Sequence, residues 1–115
     1  NFLSTTAACE VMDILNEMND SGELRDGIEY FDGELEKFYA AHKDIFTSKV
    51  GIGMMCGLRV KDADTLTKIV SNAREEGAIV LKAGRDTLRL LPALTITKEE
   101  TDEGFKALNR ALSSL

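Results

Sequence analysis

The chain has 115 residues, 43% of them hydrophobic and 30% charged, which suits one globular domain with a modest core and leaves little room for a second. Fourteen basic against twenty acidic side chains give a net charge of −6 with no lysine or arginine cluster, so nucleic acid and anionic membrane surfaces are poor candidates as partners. No stretch reaches the roughly 20 apolar residues of a membrane span and no signal-peptide pattern opens the chain, while Asn1 in place of Met points to a chain processed or cut from something longer.

Residues 4–19 read as a helix, with Ala7, Ala8, Val11, Met12, Ile14, Leu15 and Met18 on one broad face and Glu10, Asp13, Glu17 and Asp20 on the other. Asn19-Asp20-Ser21-Gly22 is a loop cluster. A second helix carries Leu24, Ile28, Phe31, Leu35, Phe38 and His42 at helical spacing and runs to about His42. Val50 to Val60 is apolar but holds Gly51, Gly53 and Gly57, which disfavour a helix, so a strand pair or one bulged strand is expected. Asp62 or Asp64 can cap a third helix over Leu66, Ile69, Val70 and Ala73, closed by Gly77. Ala78–Lys82 and Thr87–Leu91 read as short strands around the turn Ala83-Gly84-Arg85-Asp86, with Pro92 ending the second. Thr97-Lys98-Glu99-Glu100 is a capping box that opens a last helix with Phe105, Leu108 and Leu112 on its buried face. The order ααβ(β)αββα predicts an α+β fold, a small, largely antiparallel sheet with flanking helices.

Few groups offer chemistry. Gly51-Ile52-Gly53-Met54-Met55-Cys56-Gly57 is spaced wrongly for a dinucleotide loop and a strand follows it where a helix N-terminus is required. Cys9 and Cys56 fit neither a disulfide framework nor a zinc pattern, so both are expected as buried, reduced thiols of a cytoplasmic protein. Nothing near Cys56 would activate it as a nucleophile. A single histidine, His42, argues against a multi-histidine metal site and suits a helix C-terminus. The acids lie on outer helix faces, and no convergent carboxylate pair is found. Arg89 differs. Alternation in Thr87-Leu88-Arg89-Leu90-Leu91 puts it opposite Leu88 and Leu90, where its planar fork meets water, a surface acid or a ligand carboxylate. Spacing alone favours the solvated or surface-paired arginine.

Thr87-Leu88-Arg89-Leu90-Leu91-Pro92-Ala93-Leu94-Thr95-Ile96-Thr97, followed by Glu99-Glu100 and Asp102-Glu103-Gly104, resembles the C-terminal signature of class III aminotransferases. Gly51 to Leu58 is similar to the glycine-spaced strand of that family, Glu76 to Leu81 to its helix-to-strand step, and Asn1 to the end of its Gly-Gly-Asn segment. The likeness covers essentially the whole chain. It implies one domain, residues 1–115, that is the C-terminal small domain of a larger homodimeric enzyme, dependent on pyridoxal 5′-phosphate and moving an amino group between amino-acid and 2-oxo-acid substrates. It implies that Arg89 grips the substrate α-carboxylate. It also implies that the lysine and aspartate serving the cofactor lie upstream, so the cofactor is not expected on these residues alone. Phe2, Val50, Arg59 and Thr101 depart from the family pattern, Arg59 standing where an acid is usual and Val50 where an arginine is frequent. Two other classes stay open from the residues alone: a free-standing α+β binding module, and a structural or dimer-supporting piece without a ligand.

Overall fold

Side-chain and glycine caps set where the first two helices begin and end. Asn1 accepts from the Ser4 amide at 2.8 Å, so α1 (Phe2–Ser21) starts two residues earlier than its apolar period suggests. Gly22, at φ 85°, ends α1 and starts α2 (Glu23–Ala41). A side chain there would be strained, and the loop expected over 19–22 shrinks to this one residue. On α2 the period delivers Phe31, Leu35 and Phe38 to the core, and His42 caps the C-terminus with Nδ1 2.9 Å from the Phe38 carbonyl.

The computed structural model describes residues 1–115. Its sheet has four strands, β1 (Phe46–Ile52), β2 (Met55–Val60), β3 (Leu81–Ala83) and β4 (Thr87–Leu90), in the order β1-β2-β4-β3 with every neighbour antiparallel. The glycine segment is a hairpin turning at Gly53-Met54. Gly51, at φ 97°, is required twice over, because a Cβ there would strike the Met55 carbonyl and come within 2.9 Å of the Cys56 Cα. Between the hairpin and β3 lies α3 (Ala63–Glu75), capped by Asp62, and after β4 comes α4 (Lys98–Ser113). The expected capping box is formed: the Thr97 amide donates to Glu100 Oε2 at 2.9 Å and the Glu100 amide to Thr97 Oγ1 at 3.1 Å. The architecture is α+β, as the sequence predicts.

Register decides the faces. Cys56 pairs with Leu90 and Leu58 with Leu88, so these four point inward, and α2, α3 and α4 pack over them. Leu35, Leu58, Leu66, Ile69 and Leu88 are fully buried. Thr101 is buried on α4; its hydroxyl donates to the Thr97 carbonyl at 2.9 Å, and no buried side-chain polar atom in the molecule lacks a partner.

One expectation fails at α1. Its apolar stripe exists, but no residue of α1 is buried, and Val11, Met12 and Ile14 stay about half exposed. Cys9 lies exposed on this helix, so only Cys56 is a buried thiol. The reason is placement: α1 has α2 as its main neighbour, and the molecule measures 45 Å along its longest axis. Its radius of gyration, 15.8 Å, exceeds the roughly 13 Å of a compact domain of about 100 residues. No helix is long and apolar enough to cross a membrane.

Candidate functional site

The open face of the sheet holds the candidate site. Leu88 and Leu90 are sunk in the core on either side of Arg89, so the strand cannot rotate the arginine inward without exposing both leucines. Arg89 is exposed and paired in register with Gly57 of β2 and Leu81 of β3. None of the four ion pairs in the molecule includes it, which removes the surface-acid alternative. A free guanidinium held on a rigid strand is suited to a planar anion, because its fork makes two parallel charge-assisted bonds to a carboxylate.

Gly57 shapes the surface beside it. A Cβ at Gly57 would lie 2.6 Å from Thr87 Cγ2 and 3.2 Å from Val50 Cγ2, so only glycine fits opposite the arginine without moving its neighbours. Arg59, two residues along β2, pairs with Thr87 and shares the outer face. Sequence reasoning gave Arg89 its direction but neither of these neighbours. The β2–β4 pairing joins segments on opposite sides of α3, and only the register reveals it.

The other candidates fall to structural roles. The Cys56 thiol donates to the Gly53 carbonyl at 3.1 Å, and burial pushes its pKa up, which favours the protonated thiol over the thiolate. No group of three His, Cys, Asp or Glu side chains converges as a metal site. An apolar cavity of about 220 Å³ lies between β4, Pro92 and α4, lined by Phe31, Val80, Ile96 and Phe105 among others. Its polar members, Glu100 and Thr101, are spent on the capping box and on the Thr97 carbonyl.

A pyridoxal phosphate group needs a lysine that can be uncharged. Lys49 is held by Glu36 at 2.8 Å and Asp32 at 3.0 Å, and those hydrogen bonds push its pKa up. Glu34 does the same to Lys37. Lys82 donates to Thr67 of α3 at 2.6 Å, and Lys98 lies over the Tyr30 ring at 5.3 Å. Lys49 and Lys82, the two lysines carried by the strands, pair in register with the inward Leu58 and Leu88, so the strand face that bears Arg89 offers the cofactor no lysine.

Fold and site together define an α+β domain whose open sheet face carries two exposed arginines, Arg89 and Arg59, outside any ion pair. The chain belongs to the class-III aminotransferase family, whose profile matches residues 1–112. Enzymes of that family depend on pyridoxal phosphate. An acetylornithine aminotransferase from Wolinella succinogenes is 37% identical over 115 residues, the whole of this chain and 29% of that protein. The structure of an N-acetylornithine aminotransferase from Stenotrophomonas maltophilia superposes with a TM-score of 0.72 at 30% identity, over 80% of this chain and 27% of the other. A lysine aminotransferase from M. tuberculosis shares the fold, with a TM-score of 0.74 at 24% identity over 85% of this chain and 23% of that one. The chain thus spans less than a third of the length of each of these proteins.

Proposed function

We propose that residues 1–115 are the C-terminal small domain of a pyridoxal-phosphate-dependent aminotransferase that exchanges the amino group between N-acetylornithine and 2-oxoglutarate, a step of arginine biosynthesis. In this reading Arg89 binds the α-carboxylate of each substrate in turn, and a fixed carboxylate sets where the reacting end of the substrate lies. The observation that carries it is Arg89 itself, exposed and without an acid partner on a strand locked by Leu88 and Leu90. Relatives bearing the acetylornithine name support the substrate, and their greater length supports the placement of the cofactor-holding groups outside these residues. The uncovered stripe of α1 supports packing against the remainder of the chain in a homodimer. The two free thiols, one of them exposed, support a reducing compartment, the cytoplasm.

The test is Arg89→Ala in the full-length protein. KM for amino-acid substrates rises while the cofactor stays bound, since removing one partner of a desolvated charge pair commonly costs roughly 2–5 kcal/mol. An unchanged KM removes Arg89 from the site. Comparing N-acetylornithine with ornithine, succinylornithine and 4-aminobutyrate as amino donors then decides the substrate, and a preference for any of the last three overturns the acetylornithine assignment.

A further inference from the structure

The twist of the sheet tilts side chains along one diagonal, and Thr87 shows which. Thr87 stands opposite Arg59, yet its methyl reaches over Gly57, where a Cβ would lie 2.6 Å from Thr87 Cγ2. Arg89 stands opposite Gly57, and the same diagonal taken from there leads to Met55, the first residue of β2. Diagonal partners on adjacent strands are roughly 7–8 Å apart at the backbone, within reach of two long side chains. Arg59 lies on the other diagonal.

Met55 is the one methionine of four so placed. Met12 and Met18 ride on α1, whose main neighbour is α2, and Met54 is buried. Met55 is 63% exposed, and its register partner on β1, Ile52, is exposed and apolar as well. A thioether is a weak acceptor, so reduced Met55 leaves the guanidinium free for a carboxylate. We propose that Met55 is a redox-modification site, at which a peroxide converts the thioether to a sulfoxide whose oxygen occupies the Arg89 guanidinium. This rests on the assignment of Arg89 to a substrate carboxylate. In the step with hydrogen peroxide, the sulfur lone pair forms an S–O bond while the O–O bond breaks. The proton of the transferred oxygen passes to the other oxygen, which leaves as water; sulfur loses two electrons and the peroxide gains them. The product is polar and reducible by methionine sulfoxide reductase. Ile52 and Leu91, the exposed apolar neighbours at that end of the sheet, offer the new oxygen no side-chain donor, whereas Arg89 does.

The experiment treats the full-length protein with hydrogen peroxide, removes the excess with catalase, and measures KM and kcat for the amino donor beside peptide mass spectrometry. KM rises about tenfold, the weight of one charge-assisted contact, in step with the gain of one oxygen at Met55, while kcat holds. Methionine sulfoxide reductase restores KM; a thiol reductant alone, which would repair the exposed Cys9, does not. Met55→Leu starts from the unaltered KM and ignores peroxide, and Met55→Gln, which supplies a permanent acceptor, raises KM without it. An equal loss in Met55→Leu, a sulfoxide at Met55 with KM unchanged, or a Met55 that stays reduced at a dose that oxidises Met12 each overturns the proposal. Arg89→Gln raises KM by itself and peroxide then adds nothing; an Arg89→Gln protein with the unaltered KM sinks the assignment of Arg89 instead.

Discussion

Tyr30 and Asp102 tie α2 to α4 through one short hydrogen bond, Tyr30 Oη donating to Asp102 Oδ1 at 2.6 Å. The carboxylate accepts the phenol proton and disfavours a second negative charge beside it, so the Tyr30 pKa is pushed up from 10.0 to about 12. Because the folded value lies above the unfolded one, the bond contributes stability in full below about pH 10 and loses it as pH rises toward 12. Phenolate absorbance measured against pH should therefore show one of the two tyrosines titrating late, and Asp102→Asn should return it toward about 10. A late-titrating tyrosine that survives Asp102→Asn removes the carboxylate as the cause.

At the scale of the element, α3 was legible down to a choice between two caps, Asp62 and Asp64, of which Asp62 is used, and β1 was not. Asp62 accepts from the Thr65 amide at 2.8 Å and from its hydroxyl at 2.9 Å, and the Ala78 amide closes the other end on the Ala73 carbonyl at 2.8 Å. Such caps depend on side chains within a few positions of each other, which a sequence displays. These hydrogen bonds hold the Asp62 carboxyl below the usual carboxylate range. A depressed folded pKa means the cap stabilises α3 above about pH 4 and is lost as pH falls through the folded value. Asp62→Ala should lower Tm by a few degrees at neutral pH, with the gap closing in strong acid; a gap independent of pH would mean the carboxylate does not carry the cap. β1 starts at Phe46, four residues before the apolar run that predicts it, because Lys49 looks like a surface residue. It points inward instead, and its charge is met by Asp32 and Glu36 from α2. An irregularity between Phe46 and Ser48 breaks the alternation as well. β3 is shorter than expected for a similar reason: Val80 packs toward the core before the strand begins at Leu81. The same division runs through the site. Alternation alone aims Arg89 outward, whereas the nearness of Gly57 and Arg59 needs a pairing between segments some thirty residues apart.

The whole molecule is a core with one helix standing outside it. The core fuses α2, α3, α4 and the inner sheet face into a cluster of 17 buried residues, none of them from α1. What holds α1 is its Asn1 cap, backbone hydrogen bonds and a partial contact with α2. A helix of 20 residues without buried anchors gains little from tertiary packing, and helical propensity alone is marginal in water. The exposed Phe2, Leu3, Val11, Met12 and Ile14 would gain on being covered, each fully buried large side chain contributing about 1.5–3 kcal/mol. Two consequences follow for residues 1–115 in isolation. Amide exchange across 2–21 should be much faster than across 31–38, because local opening of α1 exposes no core. Deleting residues 1–21 should leave Tm nearly unchanged while changing the tendency to self-associate, since the deletion removes uncovered apolar surface and no core contact. Protection of α1 equal to that of α2 would show that the helix is anchored in the isolated domain, and the cover supplied by further chain would then be unnecessary to explain its stripe. Fast exchange in the isolated chain that slows in the full-length protein identifies the stripe as a surface that further chain covers.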